Sequence, residues 1–268
     1  MLASDRSGSG PPLVLVHGIG SRRGVWDPVV GRLASERDVL AVDLPGFGDS
    51  PVLPSGIAPS VGAFADALVA WWSALGIEWP HVAGNSLGGG IALELARAGV
   101  VSSATALSPI GFWSPLENRY GRVVLRTSRF LSVHAGAQLA RLVQSRAGRA
   151  VTIGHMYGRP GRKDPREAAL DVEMLAAAPG WKATLERLEY DFRDGGQLDS
   201  VPVTIGWGTR DRLLIPRQAE RARAALPRAR HVPLPGCGHI PMSDDPEGVA
   251  ALVLAGSATP LAGPGSRS

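Results

Sequence analysis

The sequence predicts an α/β fold: a mostly parallel, doubly wound sheet with a helical lid inserted between two of its strands. Three observations carry this. Short continuous apolar runs recur along the chain, as expected of strands buried on both faces. Most of these runs lead through a glycine- or proline-rich loop into a stretch of helical periodicity, the alternation that builds parallel sheets. The alternation breaks once, between Pro109 and Gly196, where no strand-like run occurs.

Taken in order, Leu13–Val16 is the first strand and ends at His17-Gly18. Asp27-Pro28 then supplies an N-cap and a proline at the first helical position, with Trp26, Val29, Val30 and Leu33 on one face. Val39–Leu44 is the second strand, closed by Pro45-Gly46-Phe47-Gly48. Ser60 caps a helix that offers Phe64, Leu68, Trp71, Trp72 and Leu75 to the core and stops at Gly76. His81–Ala83 is the third strand, running through Gly84-Asn85-Ser86-Leu87-Gly88 into a helix that ends at Gly99. Ala104–Leu107, Val203–Trp207 and His231–Leu234 complete the strands, and Asp245-Pro246 opens a last helix. The break holds about four helices, two starting at Pro115 and at Asp164-Pro165, with an aromatic and glycine-rich loop around Gly154–Gly161. Such an insertion reads as a lid over the carboxyl ends of the strands, where open α/β sheets bind ligands. The expected organisation is a core of residues 1–109 and 197–257, a lid of 110–196 and a disordered tail of 258–268.

Composition narrows the function. Of 268 residues, 44% are apolar and 19% charged, which excludes a wholly disordered chain. A single cysteine, Cys237, excludes an internal disulfide and a multi-thiolate metal site, and reads as a small buried filler. Residues 1–12 contain no apolar signal core, and Asp66 interrupts the most apolar stretch, Val61–Ile77. A cytoplasmic protein without a membrane span is the expectation. Residues 110–166 carry ten arginines and one lysine against Glu117 and Asp164, a balance of +9 in a chain of net charge +4. No nucleic-acid motif accompanies the block, so no nucleic-acid partner is expected. It reads as a solvated helical surface or as a field at a substrate entrance, with Arg159, Arg162 and Lys163 in the lid loop favouring anionic substrates.

The chemistry centres on Gly84–Gly88, which fits G-x-S-x-G and stands between a strand and a helix. A tight turn there strains the central serine and exposes its hydroxyl at a helix N-terminus, where N–H groups face developing negative charge. Serine needs a general base oriented by an acid. Val203–Trp207 leads to Gly208-Thr209-Arg210-Asp211, and His231–Leu234 leads to Pro235-Gly236-Cys237-Gly238-His239. Both groups thus follow strands, whereas the rival acids Asp191 and Asp199 do not. The order Ser86, Asp211, His239 matches one of the known triad orders.

With these motifs the chain resembles an α/β-hydrolase of the lid-bearing esterase, lipase and C–C-bond hydrolase group. His17-Gly18-Ile19-Gly20, Asp43–Ser50, Gly84–Gly88, Trp207–Asp211 and Gly236–His239 carry the resemblance, in that order, across about residues 12–255. It implies an oxyanion hole from the backbone N–H groups of Ile19 and Leu87, with His17 and Gly18 shaping the turn. It implies attack by Ser86 on a carbonyl, proton transfer by His239, orientation by Asp211, and water hydrolysing an acyl-enzyme. No cofactor or metal is implied, and Gly18-x-Gly20 lacks the third glycine of a dinucleotide fingerprint. The substrate expected is a small carboxylic ester or a related carbonyl compound. The alternatives are a C–C-bond hydrolase of ring-cleavage dienoic acids, a perhydrolase or acyltransferase using the same triad, and a ligand-binding sensor on a hydrolase scaffold. The family usually opens with an antiparallel strand pair, and the first twelve residues here are not strand-like, which leaves a sheet of six strands. His81, His134, His155 and His231 read as surface or lid residues, with His155 as a candidate for a pocket wall.

Overall fold

A computed structural model describes residues 1–188, 190–192 and 197–258. The expected tail therefore lies, from residue 259 onward, outside the described residues. The chain runs β1 (Ser4–Ser7), β2 (Pro12–Val16), α1 (Asp27–Leu33), β3 (Asp38–Val42), α2 (Val61–Ala74), β4 (His81–Asn85), α3 (Leu87–Arg97) and β5 (Ser103–Leu107). Four helices follow: α4 (Pro115–Leu142), α5 (Arg146–Ile153), α6 (Pro165–Ala177) and α7 (Trp181–Glu186). The sheet resumes with β6 (Val203–Gly208), α8 (Arg217–Ala225), β7 (Arg230–Leu234), α9 (Pro241–Asp244) and α10 (Pro246–Gly256).

Among the described residues seven strands form one sheet in the order β1-β3-β2-β4-β5-β6-β7, parallel except for β1. Alternation along each strand divides the apolar residues between the two faces. Val14, Val16, Leu40, Val42 and Val82 pack on the face covered by α2 and α3. Leu13, Leu15, Val39, Ala41 and Ala83 pack on the face covered by α1 and α10. The doubly wound sheet follows from strands apolar on both sides. None of the helices in the described residues is long and apolar enough to cross a membrane.

Three expectations are corrected. The sheet has a seventh strand: β1 runs antiparallel to β3, pairing Ser4 with Val42 and Ser7 with Val39. All four of its residues are exposed, so no apolar alternation betrays it. The ladder is reinforced by Arg6, whose guanidinium donates twice to Asp38, at 2.8 and 2.6 Å. Second, Asp27 is not an N-cap: a 3-10 turn over Arg23–Trp26 carries the chain straight into α1. Third, Leu75 lies past the end of α2 and is exposed, while Phe64, Leu68, Trp71 and Trp72 are buried. The expected caps do form, Ser60 accepting from Ala63 N–H and Asp245 from Gly248 N–H.

The segment between β5 and β6 bonds to the loops at the carboxyl ends of four strands. Arg22 after β2 pairs with Glu167 of α6 at 2.7 Å. The carbonyl of Gly46, after β3, accepts from Gly180 N–H at 2.9 Å. Arg212, after β6, donates to the Gly154 carbonyl, and Ile240, after β7, donates to the Met156 carbonyl at 3.0 Å.

Candidate active site

Ser86 occupies the single residue between β4 and α3, with φ 58° and ψ −113°. A non-glycine residue at positive φ is costly and persists only where its surroundings impose it. Here the carbonyl of Leu107 holds Ser86 N–H at 2.9 Å, and Gly90 and Ile110 donate to the Ser86 carbonyl. The flanking glycines are required by close approach. A Cβ on Gly84 would lie 2.0 Å from the Gly88 carbonyl oxygen, and one on Gly88 would lie 2.2 Å from that of Val16. Strand and helix can meet this tightly only without side chains at those two positions.

The predicted acid and base are in contact. His239 Nδ1 lies 2.9 Å from Asp211 Oδ2, with both residues buried. The other carboxylate oxygen of Asp211 accepts from the N–H groups of Leu213 and Leu214, at 2.9 and 2.8 Å. The turn is fixed further by Trp207, whose indole N–H donates to the Leu214 carbonyl. A carboxylate so held faces the imidazole in one orientation. Ser86 joins this pair through its neighbour: Asn85 Nδ2 donates to the His239 carbonyl at 2.9 Å and to that of Leu107 at 3.1 Å. Among the described residues no hydrogen bond runs from Ser86 Oγ to His239 Nε2. The side chain of Asp199, the rival acid, lies outside the described residues.

The predicted oxyanion turn lies beside the serine. A Cβ on Gly18 would stand 3.1 Å from Ser86 Cβ and 3.6 Å from its Oγ. His17 is fully buried, with Nδ1 2.7 Å from the Gly18 carbonyl and Nε2 accepting from Leu44 N–H at 3.0 Å. An Nε2 that accepts is unprotonated, so Nδ1 carries the hydrogen and donates to Gly18. Burial, the largest influence, also holds the His17 imidazole below its ordinary range and so neutral. The Gly18 carbonyl is thereby engaged by His17. Among the described residues, neither Ile19 N–H nor Leu87 N–H is spent on a backbone partner.

The sequence reading missed a second buried acid. Asp244 is wholly buried, and its Oδ2 accepts from Gly158 N–H at 2.8 Å and Gly238 N–H at 2.7 Å. Its Oδ1 accepts from Arg159 N–H at 2.7 Å. One carboxylate thus ties the residue before His239 to the loop after α5. The one sequence signal was an acid five residues after the histidine, hidden beside the helix cap Asp245. One further expectation is corrected, that of His81 as a surface or lid residue, and the lid-loop cations find partners. Lys163 is buried and paired with Asp171 at 2.9 Å, while Arg159 and Arg162 donate to the Asp244 carbonyl. Lys163 is thus paired with a carboxylate, while Arg159 and Arg162 bond to a neutral carbonyl and keep their charge. His81 is buried in β4 against Ser103 Oγ, and burial lowers it to about 4. His155 contacts Ser128 Oγ, and burial, with the nearby His239 second, lowers its pKa. Among the described residues no group of three or more His, Cys, Asp or Glu side chains is arranged to hold a metal ion.

A mostly parallel seven-stranded sheet with G-x-S-x-G at a strand–helix junction defines the class, a hydrolase built on an α/β sheet. The chain belongs to the alpha/beta hydrolase family, whose model matches residues 13–252. It is 30% identical over 255 residues to an uncharacterised protein of Mycobacterium tuberculosis, covering 90% of this chain and 73% of that one. Over 92 residues, 34% of each chain, it is 44% identical to the pimeloyl-acyl-carrier-protein methyl ester esterase of Aeromonas hydrophila. It is also similar in structure to a thermophilic esterase from Thermogutta terrifontis, with a TM-score of 0.72 at 24% identity over 95% of this chain and 92% of that one.

Proposed function

We propose that the protein is a serine hydrolase that cleaves small carboxylic esters through an acyl-enzyme. The observation that carries this reading is the buried His239–Asp211 pair, tied by Asn85 to the strained turn of Ser86. Ser86 Oγ attacks the carbonyl carbon as its proton passes to His239 Nε2. Asp211 holds the imidazole with its other nitrogen protonated and stabilises the imidazolium. The tetrahedral oxyanion forms between the N–H groups of Ile19 and Leu87, and loss of one such donor costs about 3–4 kcal/mol of transition-state stabilisation. His239 then protonates the alcohol, which departs. Water, deprotonated by the same histidine, releases the acid and restores the serine. Residues 110–196 act as the lid, since helix α6 and the turns between these helices bond to loops at the carboxyl ends of four strands. The local similarity to a methyl ester esterase favours an ester over a C–C bond.

A fluorophosphonate probe tests the nucleophile, and p-nitrophenyl esters of increasing chain length, run beside a ring-cleavage dienoate, test the substrate class. Labelling and ester turnover are expected in the native chain and absent in Ser86→Ala. A chain that turns over esters normally after Ser86→Ala refutes the mechanism, and turnover of the dienoate alone refutes the substrate.

A further inference from the structure

Helices α2 and α10 turn their large apolar side chains inward, as surface helices do. Helix α4 does not. The residues it buries fully are Gly121 and Ser132, while Leu116, Val123 and Phe130 are 78%, 55% and 60% exposed. Leu131 is exposed as well, and Tyr120, half-exposed at the edge of the same face, donates its hydroxyl to the Arg212 carbonyl at 2.9 Å. At helical spacing these five side chains fall within one arc of about 100°, so they form a stripe along the solvent side, with the exposed Thr127 in its middle. The stripe has a basic border. Arg119 and Arg126 are exposed beside it, and neither forms an ion pair among the described residues. Arg122 and Arg129 turn away and donate to the carbonyls of Glu186 and Leu175. Glu117, the one acid of α4, is engaged with Arg221.

We propose that this face of α4 is a docking surface for an anionic lipid bilayer. A helix that lies in the headgroup region presents an apolar stripe to the acyl boundary and arginines to the phosphates beside it, which is the arrangement here. A second copy of the chain fits the face less well. The stripe from Leu116 to Leu131 is about 24 Å long at 1.5 Å per residue, or about 250 Å² for a width of about 10 Å. A standard interface takes about 800 Å² from each partner. A two-fold copy would also set Arg119 and Arg126 against basic residues, with no exposed acid on the face to receive them. Anionic lipid supplies the missing negative charge, and a bilayer requires no complementary shape. The proposal is independent of the role of Ser86.

The test is flotation of the full chain with vesicles of phosphatidylcholine and phosphatidylglycerol at 1:1, against vesicles of phosphatidylcholine alone. Binding to the anionic vesicles is expected, at least tenfold tighter than to neutral ones and weakened by 0.5 M salt. Val123→Asp with Phe130→Asp should reduce it at least tenfold, and Arg119→Gln with Arg126→Gln should remove most of the preference for anionic lipid. Far-ultraviolet circular dichroism and thermal midpoints check that both variants fold. Should the aspartate pair misfold, Phe130→Cys carrying an environment-sensitive dye reports the same contact, its emission shifting to the blue and being quenched by brominated acyl chains. No binding of the native chain to anionic vesicles overturns the proposal, as does binding unchanged in the folded variants. A concentration-dependent dimer abolished by Phe130→Asp also overturns it, since a second copy would then own the face.

Discussion

Replacing Asp244 by asparagine exchanges one oxygen of a fully buried, triply hydrogen-bonded carboxylate for an amide nitrogen. Its two oxygens accept three backbone N–H groups, from Gly158, Arg159 and Gly238, and none of these bonds faces solvent freely because the residue is fully buried. The asparagine keeps one oxygen, which can serve Gly158 and Gly238 as Oδ2 does now. Its amide nitrogen then points a donor at Arg159 N–H. A hydrogen bond to a charged group contributes about 1.5–3 kcal/mol and a neutral one about 1 kcal/mol. One charged bond is lost and two are weakened, a total of about 4 kcal/mol, from which relief of a buried charge subtracts about 1–2 kcal/mol. The net expectation is about 2–3 kcal/mol, or roughly 4–12 °C in Tm for a chain of this size. Asp244→Ala, which orphans all three donors, should lose more. The assay is urea and thermal unfolding at pH 7, joined to amide exchange read at Gly158, Arg159 and Gly238. Arg159 should lose protection first in the asparagine variant. Because Gly238 precedes His239, kcat for an ester should fall too. A Tm within 1 °C of the native value, with the three amides equally protected, would refute the reasoning.

Three other predictions follow from single residues. Ser86→Ala and His239→Ala should each lower kcat by several orders of magnitude, and the double variant should be little worse, because triad members act as a unit; additive losses in ester assays would separate their roles. The Cys237 thiol is buried and pushed up to about 11, first by burial and then by Asp244 and Asp245, so iodoacetamide at pH 8 should leave the native chain unlabelled and react only after denaturation. His81, lowered to about 4 by burial, binds its proton less readily folded than unfolded, where it titrates near about 6.5. Its contribution is complete above about pH 6.5 and lost as pH falls toward 4, by about 2 kcal/mol; His81→Gln should flatten that part of the urea-midpoint profile, and an unchanged profile would exclude the residue as its source.

Much of the fold is legible because the strands are buried on both faces. β2 and β3 carry continuous apolar runs, Leu13–Val16 and Val39–Val42, and β4 is marked by the glycine-flanked Ser86 turn that follows it. β1 was not legible for the opposite reason: Ser4–Ser7 is all exposed and gains its order from a ladder to β3 and from Arg6 on Asp38. The candidate site divides in the same way. Ser86, Asp211 and His239 stand in loops directly after strands, so their neighbours in sequence announce them. Asp244 takes its partners from residues 85 and 86 positions earlier as well as from Gly238, and an aspartate that accepts from distant backbone reads like any other. The partners of Arg159, Arg162 and Lys163 were not legible for the same reason: the two arginines donate to the distant Asp244 carbonyl and Lys163 pairs with Asp171.

Helix α4 adds a further limit. Periodicity in a sequence establishes that a helix has an apolar stripe, and the usual inference is that the stripe faces the core. That inference borrows its direction from the assumption that the protein's own interior is the only apolar phase available. In α4 the contacts with α6 fix the inward side, and the fully buried residues there, Gly121 and Ser132, are small. Small residues let two helices approach closely, and Leu116, Val123 and Phe130 are left on the far side. The direction of the stripe is therefore set by what α4 packs against, and the stripe itself asks for a second apolar partner outside the fold.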